Sequence, residues 1–185
     1  MTAANPSYEN QQIIISGLGG QGVLFITKLL AGAAMSKGLP VLTSETHGMA
    51  QRGGNVISYL KIGDFSGPLI RPGQADGLIA LKAESFDHHR YFLKPGAVAA
   101  VNSARGLDIP GVVAADATAT AKAAGSARSE NIVMLGFFAA VMSGHLFDMD
   151  SLAQAVQDKF KGKDALSSGL IDLMAAGFRL CQEEK

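Results

Sequence analysis

The sequence predicts a three-layer α/β fold, with a mostly parallel sheet, helices on both of its faces and a helical final third. Three observations carry that expectation. Short apolar runs alternate with stretches at helical spacing as far as Ala115, a glycine-rich turn separates the first run from the first helix, and from Asp116 onward only helical periodicity remains.

After a polar start, Gln12–Ser16 reads as a buried strand and Gly17-Leu-Gly-Gly-Gln-Gly22 as the turn that ends it. Between Val23 and Lys37 the residues Leu24, Ile26, Leu29, Leu30, Ala33 and Ala34 gather on one helical face, and Lys37-Gly38 closes the helix. Leu39–Thr43 is a second buried strand. Strand, helix and strand form a βαβ unit, which implies parallel strands joined by a right-handed crossover. Ser44–Gly54 lacks an apolar period and reads as a loop, whereas Asn55–Ile62 alternates as a third strand. Gly63–Gly73 is a long connection and Gly77–Leu81 a short strand. Glu84–Leu93 is a helix, Pro95-Gly96 turns the chain into a strand at Ala97–Val101, and Gly111–Ala115 is the last strand. Helices are expected over Thr118–Ala124, Glu130–Met142, Asp150–Lys159 and Ala165–Leu180. A chain of 185 residues suits one core, so residues 1–185 are expected to form a single domain.

Composition narrows the function. Lysine plus arginine number 16 and aspartate plus glutamate 16, leaving no surplus charge to recruit nucleic acid or an anionic membrane. With 48% hydrophobic and 17% charged residues, the fold is expected to leave apolar surface for another subunit. The longest apolar run, Ile132–Met142, falls well short of the roughly 20 residues that cross a bilayer. Met-Thr-Ala-Ala-Asn-Pro lacks the basic start and apolar core of a secretory signal, so the cytoplasm is the expected compartment. The single cysteine, Cys181, has no intrachain partner and supplies one of the roughly four thiolates an iron–sulfur cluster takes. His88 and His89 are adjacent, so they point in different directions, and His145 stands apart. No metal site is expected, and these histidines read as surface or capping residues.

Gly17, Gly19 and Gly22 satisfy G-x-G-x-x-G at a strand-to-helix turn, where glycine lets backbone approach a pyrophosphate and helix amides face the anion. Glu45 follows Gly22 by 23 residues, the place of a ribose-binding carboxylate. These features alone support a small Rossmann-like nucleotide-binding oxidoreductase. Equally, the glycines serve close packing without any ligand. No Tyr-x-x-x-Lys pair and no separate substrate domain accompany them. The segment Ser44–Gly54 gathers His47, Gln51 and Arg52 beside Gly53 and Gly54, and is expected at the carboxyl end of the second strand, next to the first turn. Arg52 can hold a phosphate or carboxylate with its planar fork, and His47 can donate a hydrogen bond or move a proton. The structural alternative pairs Arg52 with Glu45 or a partner's acid and makes His47 a packing residue.

Together, Ser16-Gly-Leu-Gly-Gly-Gln-Gly-Val23 and Glu45-Thr-His-Gly-Met-Ala-Gln-Arg-Gly-Gly54 resemble the gamma subunit or domain of 2-oxoacid:ferredoxin oxidoreductases. The resemblance continues through Pro68-Leu-Ile, Ala75–Leu81 and Asn131–Gly136. Thr-His-Gly-Met-Ala-Gln-Arg-Gly-Gly is most similar to the smaller subunit of the indolepyruvate type. What this implies is an accessory subunit, inactive alone, in a complex that decarboxylates a 2-oxoacid with thiamine diphosphate, passes electrons through iron–sulfur clusters to ferredoxin and releases an acyl-coenzyme A. The implied partner is a thiamine diphosphate and iron–sulfur subunit, with ferredoxin reached through the complex and a homodimer open to the isolated chain. A purely structural assembly subunit is the alternative. No catalytic residue is assigned. The ligand or interface candidates are Gly17, Gly19, Gly20, Gln21, Gly22, Glu45, His47, Gln51, Arg52, Gly53 and Gly54. The nearest approach to a thiamine diphosphate signature, Ala75-Asp76-Gly77 with Asn102-Ser103, has alanine for its first glycine and serine for its second asparagine, and is not expected to bind. Met134, Phe137, Phe138, Val141 and Met142 read as core or subunit interface.

Overall fold

Ile13, Ile14 and Ile15 are consecutive β-branched residues, and successive strand side chains point to opposite faces, so this strand is stable only if covered on both. All three are fully buried. The computed structural model describes residues 10–46, 54–142 and 146–183. Along the chain these form β1 (Gln11–Leu18), α1 (Val23–Ser36), β2 (Val41–Thr46), β3 (Asn55–Ile62) and β4 (Ala75–Ala80). There follow α2 (Ala83–His89), a 3-10 turn (Arg90–Phe92), β5 (Leu93–Asn102) and β6 (Val112–Ala115), then α3 (Ala117–Ala123), α4 (Glu130–Val141), α5 (Met149–Lys159) and α6 (Asp164–Glu183).

The six strands form one sheet in the order β2-β3-β1-β4-β5-β6. β1, β4, β5 and β6 are parallel neighbours. The βαβ expectation is corrected here. β2 runs in the same direction as β1 but is not beside it, because β3 lies between them and pairs antiparallel with both. A crossover helix fixes the direction of two strands and leaves room for a third between them.

Ile13, Ile15, Leu60, Ile79 and Ala100 face a layer built from α1 and α3 to α6. On the opposite face, among the described residues, Ile14, Ile57, Tyr59, Leu78 and Val101 meet α2, the 3-10 turn and apolar residues of the connections, Ile70, Leu107 and Ile109. Helices therefore cover both faces unequally. No described helix is long and apolar enough to cross a membrane.

The apolar run at Ile132–Met142 is α4, and a helix that is apolar all round must be buried all round. Asn131 through Ala139 are all buried, including the predicted core residues Met134, Phe137 and Phe138, while Val141 and Met142 pack at its edge. Two glycine contacts set its seat. A Cβ on Gly77 of β4 would lie 2.9 Å from the Phe138 ring, and one on Gly136 would overlap the Met174 carbonyl of α6. Gly177 of α6 reciprocates against the Val133 carbonyl. The start of α5 is fixed by a side chain. Asp148 accepts the Ser151 amide at 2.7 Å as the cap of α5, and Lys37, at the end of α1, reaches the same carboxylate at 2.6 Å. Burial raises the Asp148 carboxyl, but the Lys37 and Ser151 hydrogen bonds outweigh it and bring it from 3.8 to about 2.

The glycine contact predicts a sharp contrast within one helix pair. Gly136→Ala should destabilise the protein by about 1–3 kcal/mol, because the new methyl has only backbone to displace. Gly169→Ala, in α6 with nothing within 4 Å of the added Cβ, should be neutral or gain roughly 0.5–1 kcal/mol. Thermal melts of the two variants would reveal the difference, and equal melting temperatures would contradict the seat described for α4.

Candidate functional site

In an open α/β sheet, ligands bind where the chain switches direction across the sheet, outside the carboxyl ends of the strands. Here the switch falls between β1 and β4: from β1 the chain moves toward β2, and from β4 toward β5. The glycine-rich turn leaves β1 at that point. Gly20 and Gly22 have φ of 94° and 82°, a region that favours glycine, and Gly22 is the residue before α1. A Cβ on Gly22 would also overlap the Asn131 side-chain amide of α4, which would have to shift. A Cβ on Gly17 would sit 3.0 Å from Val23 and 3.1 Å from Leu81, so it too serves close packing. The Gly19 amide donates to the Gly54 carbonyl at 3.0 Å, which joins the turn to the end of the Ser44–Gly54 segment, as expected for neighbours. His47, Gln51, Arg52 and Gly53 lie outside the described residues.

Gln21 occupies the crevice. Its Oε1 accepts the Leu18 amide at 2.7 Å, and its Nε2 donates to Glu130 Oε1 at 2.8 Å and approaches the Leu81 carbonyl at 3.5 Å. Glu130, in the first turn of α4, also accepts from the Thr118 hydroxyl at 2.7 Å. Asn102, at the end of β5, donates to Thr118 and Leu81 and accepts the Ala117 amide at 3.0 Å. One network thus runs along the carboxyl edge from β1 to the end of β5 and the start of α3. Sequence reasoning found Gln21 but missed Thr118, Glu130 and Asn131. Their available signal was polarity at the mouth of the most apolar helix.

For a dinucleotide this arrangement is unfavourable. A pyrophosphate approaching the turn would have to displace Gln21 and face the Glu130 carboxylate. Like unit charges about 4 Å apart repel by roughly 4 kcal/mol at an effective dielectric of about 20. Glu45 is also displaced. It pairs with Ser58 of β3, itself opposite Ile15, so two strand spacings of about 4.8 Å separate it from β1. The thiamine diphosphate residues do not fit either. Asp76 forms an ion pair with Lys94 and accepts the Gln12 amide at 2.7 Å near the amino end of β4, whereas Asn102 ends β5. The β4–β5 register puts them at opposite ends of the sheet. Among the described residues no group of three or more His, Cys, Asp and Glu side chains could hold a metal ion.

His89 meets the Ser85 carbonyl in the last turn of α2, as a capping residue would, but is not simply a surface residue. It lies half-buried on the second face, with Nδ1 2.7 Å from the hydroxyl of the buried Ser16 and 3.1 Å from the Ser85 carbonyl, and its ring stacks on Phe92. It ties α2 to β1 next to the glycine turn. Burial pushes its imidazole below the ordinary 6.5, the Ser85 carbonyl opposes that shift, and His88 adds to it.

Fold and site together define a doubly wound α/β domain whose glycine-rich turn is filled by its own side chains. Residues 12–179 match the pyruvate ferredoxin/flavodoxin oxidoreductase family, and the chain belongs to it. It is similar to the indolepyruvate oxidoreductase subunit IorB of Archaeoglobus fulgidus, with 33% identity over 82% of this chain and 86% of that one. IorB of Methanothermobacter thermautotrophicus is 31% identical, over 92% of this chain and 95% of its own. Among solved structures, the gamma subunit of a keto/oxoacid ferredoxin oxidoreductase from Geobacter sulfurreducens has a TM-score of 0.76 at 27% identity, covering 94% of this chain and 99% of that one. Within the family this chain is therefore of the small, accessory-subunit type.

Two measurements test the site. Calorimetric titration with NAD or NADP should give no binding in the micromolar range; micromolar affinity that Gly19→Phe weakens would restore the dehydrogenase reading. For His89, whose neutral form the fold favours, the stabilisation is complete above about pH 6.5 and declines as pH falls below it. The fall in urea midpoint between pH 8 and pH 5.5 should accordingly be smaller in His89→Gln than in the unaltered protein. An equal fall would leave the imidazole without the burial assigned to it.

Proposed function

We propose that this chain, acting as one gamma-type unit, is the small subunit of a cytoplasmic indolepyruvate-type 2-oxoacid:ferredoxin oxidoreductase. The observation that carries the reading is its similarity to two IorB subunits over 82% and 92% of this chain, beside a family match over residues 12–179 that includes the glycine turn at the switch point. Its partner in this reading is a large thiamine diphosphate and iron–sulfur subunit, and ferredoxin is reached through the complex. Thiamine diphosphate and the clusters supply decarboxylation and electron transfer there, and coenzyme A takes up the acyl group. The residues of this chain position rather than react. Gln21 and Glu130 hold the glycine turn closed, the Gly19–Gly54 hydrogen bond fixes one end of the segment carrying His47, Gln51 and Arg52, and that segment shapes the entrance for coenzyme A or substrate. Arg52 faces a coenzyme A phosphate or an acidic surface of the partner.

The isolated chain should not reduce a low-potential dye with any 2-oxoacid, while the assembled complex should do so with indolepyruvate. Sustained reduction by the purified, metal-free chain would overturn the accessory role. In the complex, Arg52→Ala separates two uses of one residue. An acidic partner surface predicts subunit affinity weakened by about 2–5 kcal/mol, and a phosphate contact predicts a raised KM for coenzyme A with assembly intact. A local ion pair is worth only about 0–1 kcal/mol, so a variant that alters neither quantity would end the functional claim for this loop.

A further inference from the structure

The Ser44–Gly54 segment re-enters the sheet at Gly54 and Asn55, and the fold holds it there from two sides. The Gly54 carbonyl accepts the Gly19 amide of the glycine turn at 3.0 Å, and the next residue, Asn55, accepts the Ser85 hydroxyl of α2 through Oδ1 at 3.3 Å. Asn55 stands opposite Leu18 in the β1–β3 register, so both holds lie where the glycine turn begins. Ser85 is fully buried and uses each of its polar groups. Its hydroxyl reaches Asn55, its amide donates to the Lys82 carbonyl at 3.1 Å, and its carbonyl lies 3.1 Å from His89 Nδ1. Through the 2.7 Å contact of His89 with the Ser16 hydroxyl, these polar contacts return to the strand residue just before the turn.

Packing alone would be served by alanine at Ser16 and Ser85. Neither has exposed surface, and a buried hydroxyl is stable only with its hydrogen bonds made. Asn55 is exposed, belongs to neither core cluster, and is of a residue type that strands disfavour. What a fully bonded polar group adds is one arrangement of its members, where apolar contact admits several. The arrangement fixed here is the approach of α2, the end of β1 and the start of β3. Arg52 precedes Asn55 by three residues, a length of chain too short to absorb a shift at the anchor. Misplacing a binding group by as little as about 1 Å is enough to slow a reaction.

We infer that Asn55 and Ser85 are positioning residues for coenzyme A: their hydrogen bond fixes the end of the Ser44–Gly54 segment, and so the place from which Arg52 meets a phosphate of that ligand. This rests on the proposed function and adds to it the residues that hold its entrance in place. The test uses the complex of this chain with its large subunit, oxidising indolepyruvate, with kcat and KM for coenzyme A measured for Asn55→Ala and Asn55→Asp. Aspartate keeps the oxygen that accepts from Ser85 and alanine removes it, and at this exposed position both leave the core intact. Asn55→Ala should raise the KM for coenzyme A about 3- to 10-fold, the effect of losing one neutral hydrogen bond, with kcat within about twofold. Asn55→Asp should stay within about twofold of the unaltered complex in both quantities. Ser85→Ala should raise the KM by a similar factor, and the double variant no further, since the same bond is lost either way. An unchanged KM in Asn55→Ala, an equal rise in Asn55→Asp, effects that multiply in the double variant, or weakened subunit affinity at unchanged KM would each overturn the positioning role while leaving the accessory role standing. If the unaltered complex oxidises no indolepyruvate, the proposed function fails and the positioning role with it.

Discussion

The seat of α4 is the constraint on which the rest depends. Its buried face is continuous around the helix, so it must touch the sheet, α6, α3 and α1 at once. Backbone comes close enough only because glycine stands at the contacts: Gly77 beneath Phe138, and Gly136 and Gly177 between the two helices. Such packing fixes the register of α4 to less than the width of a methyl group. Register in turn decides where the first turn of α4 falls. It brings Glu130 to Gln21 and Asn131 to Gly22 at the carboxyl edge of the sheet, where the positive end of the helix dipole also favours the Glu130 carboxylate.

From that position follows the chemistry of the switch point. The same strand–turn–helix geometry that cradles a pyrophosphate in dinucleotide enzymes is present, but the protein supplies the occupant. Gln21 satisfies the Leu18 amide and carries the turn into a network that ends at Asn102. β3 adds a second difference by moving β2, and with it Glu45, one strand farther out. A fold widely used for nucleotides thus serves here in an accessory subunit, because function resides in what fills the crevice and not in the crevice itself. The unequal faces complete this picture: the helical layer secures the core, and the thin layer, with His89 hydrogen-bonded to Ser16, brings α2 next to the same turn.

Local sequence determined most of the elements. The isoleucine triplet, the helical spacing after Gly22 and the alternation of Asn55–Ile62 each specify one element through a period that does not depend on distant residues, and the third strand has the boundaries the sequence predicts. The paired glycine motifs likewise led to the family, since two rare patterns at a set separation are far more specific than either one. Tertiary structure alone decided the order of strands, because a βαβ pattern specifies direction and not adjacency, and β3 could be placed only by its hydrogen bonds to both neighbours. It also decided the occupant of the glycine turn. Glu130 is 109 residues from Gln21, and no periodicity records that a carboxylate at the head of one apolar helix will meet an amide at the head of another. The same holds for Ser16 and His89, 73 residues apart: adjacent histidines carry no sign of which one will be buried until the sheet gives one of them a hydroxyl to meet.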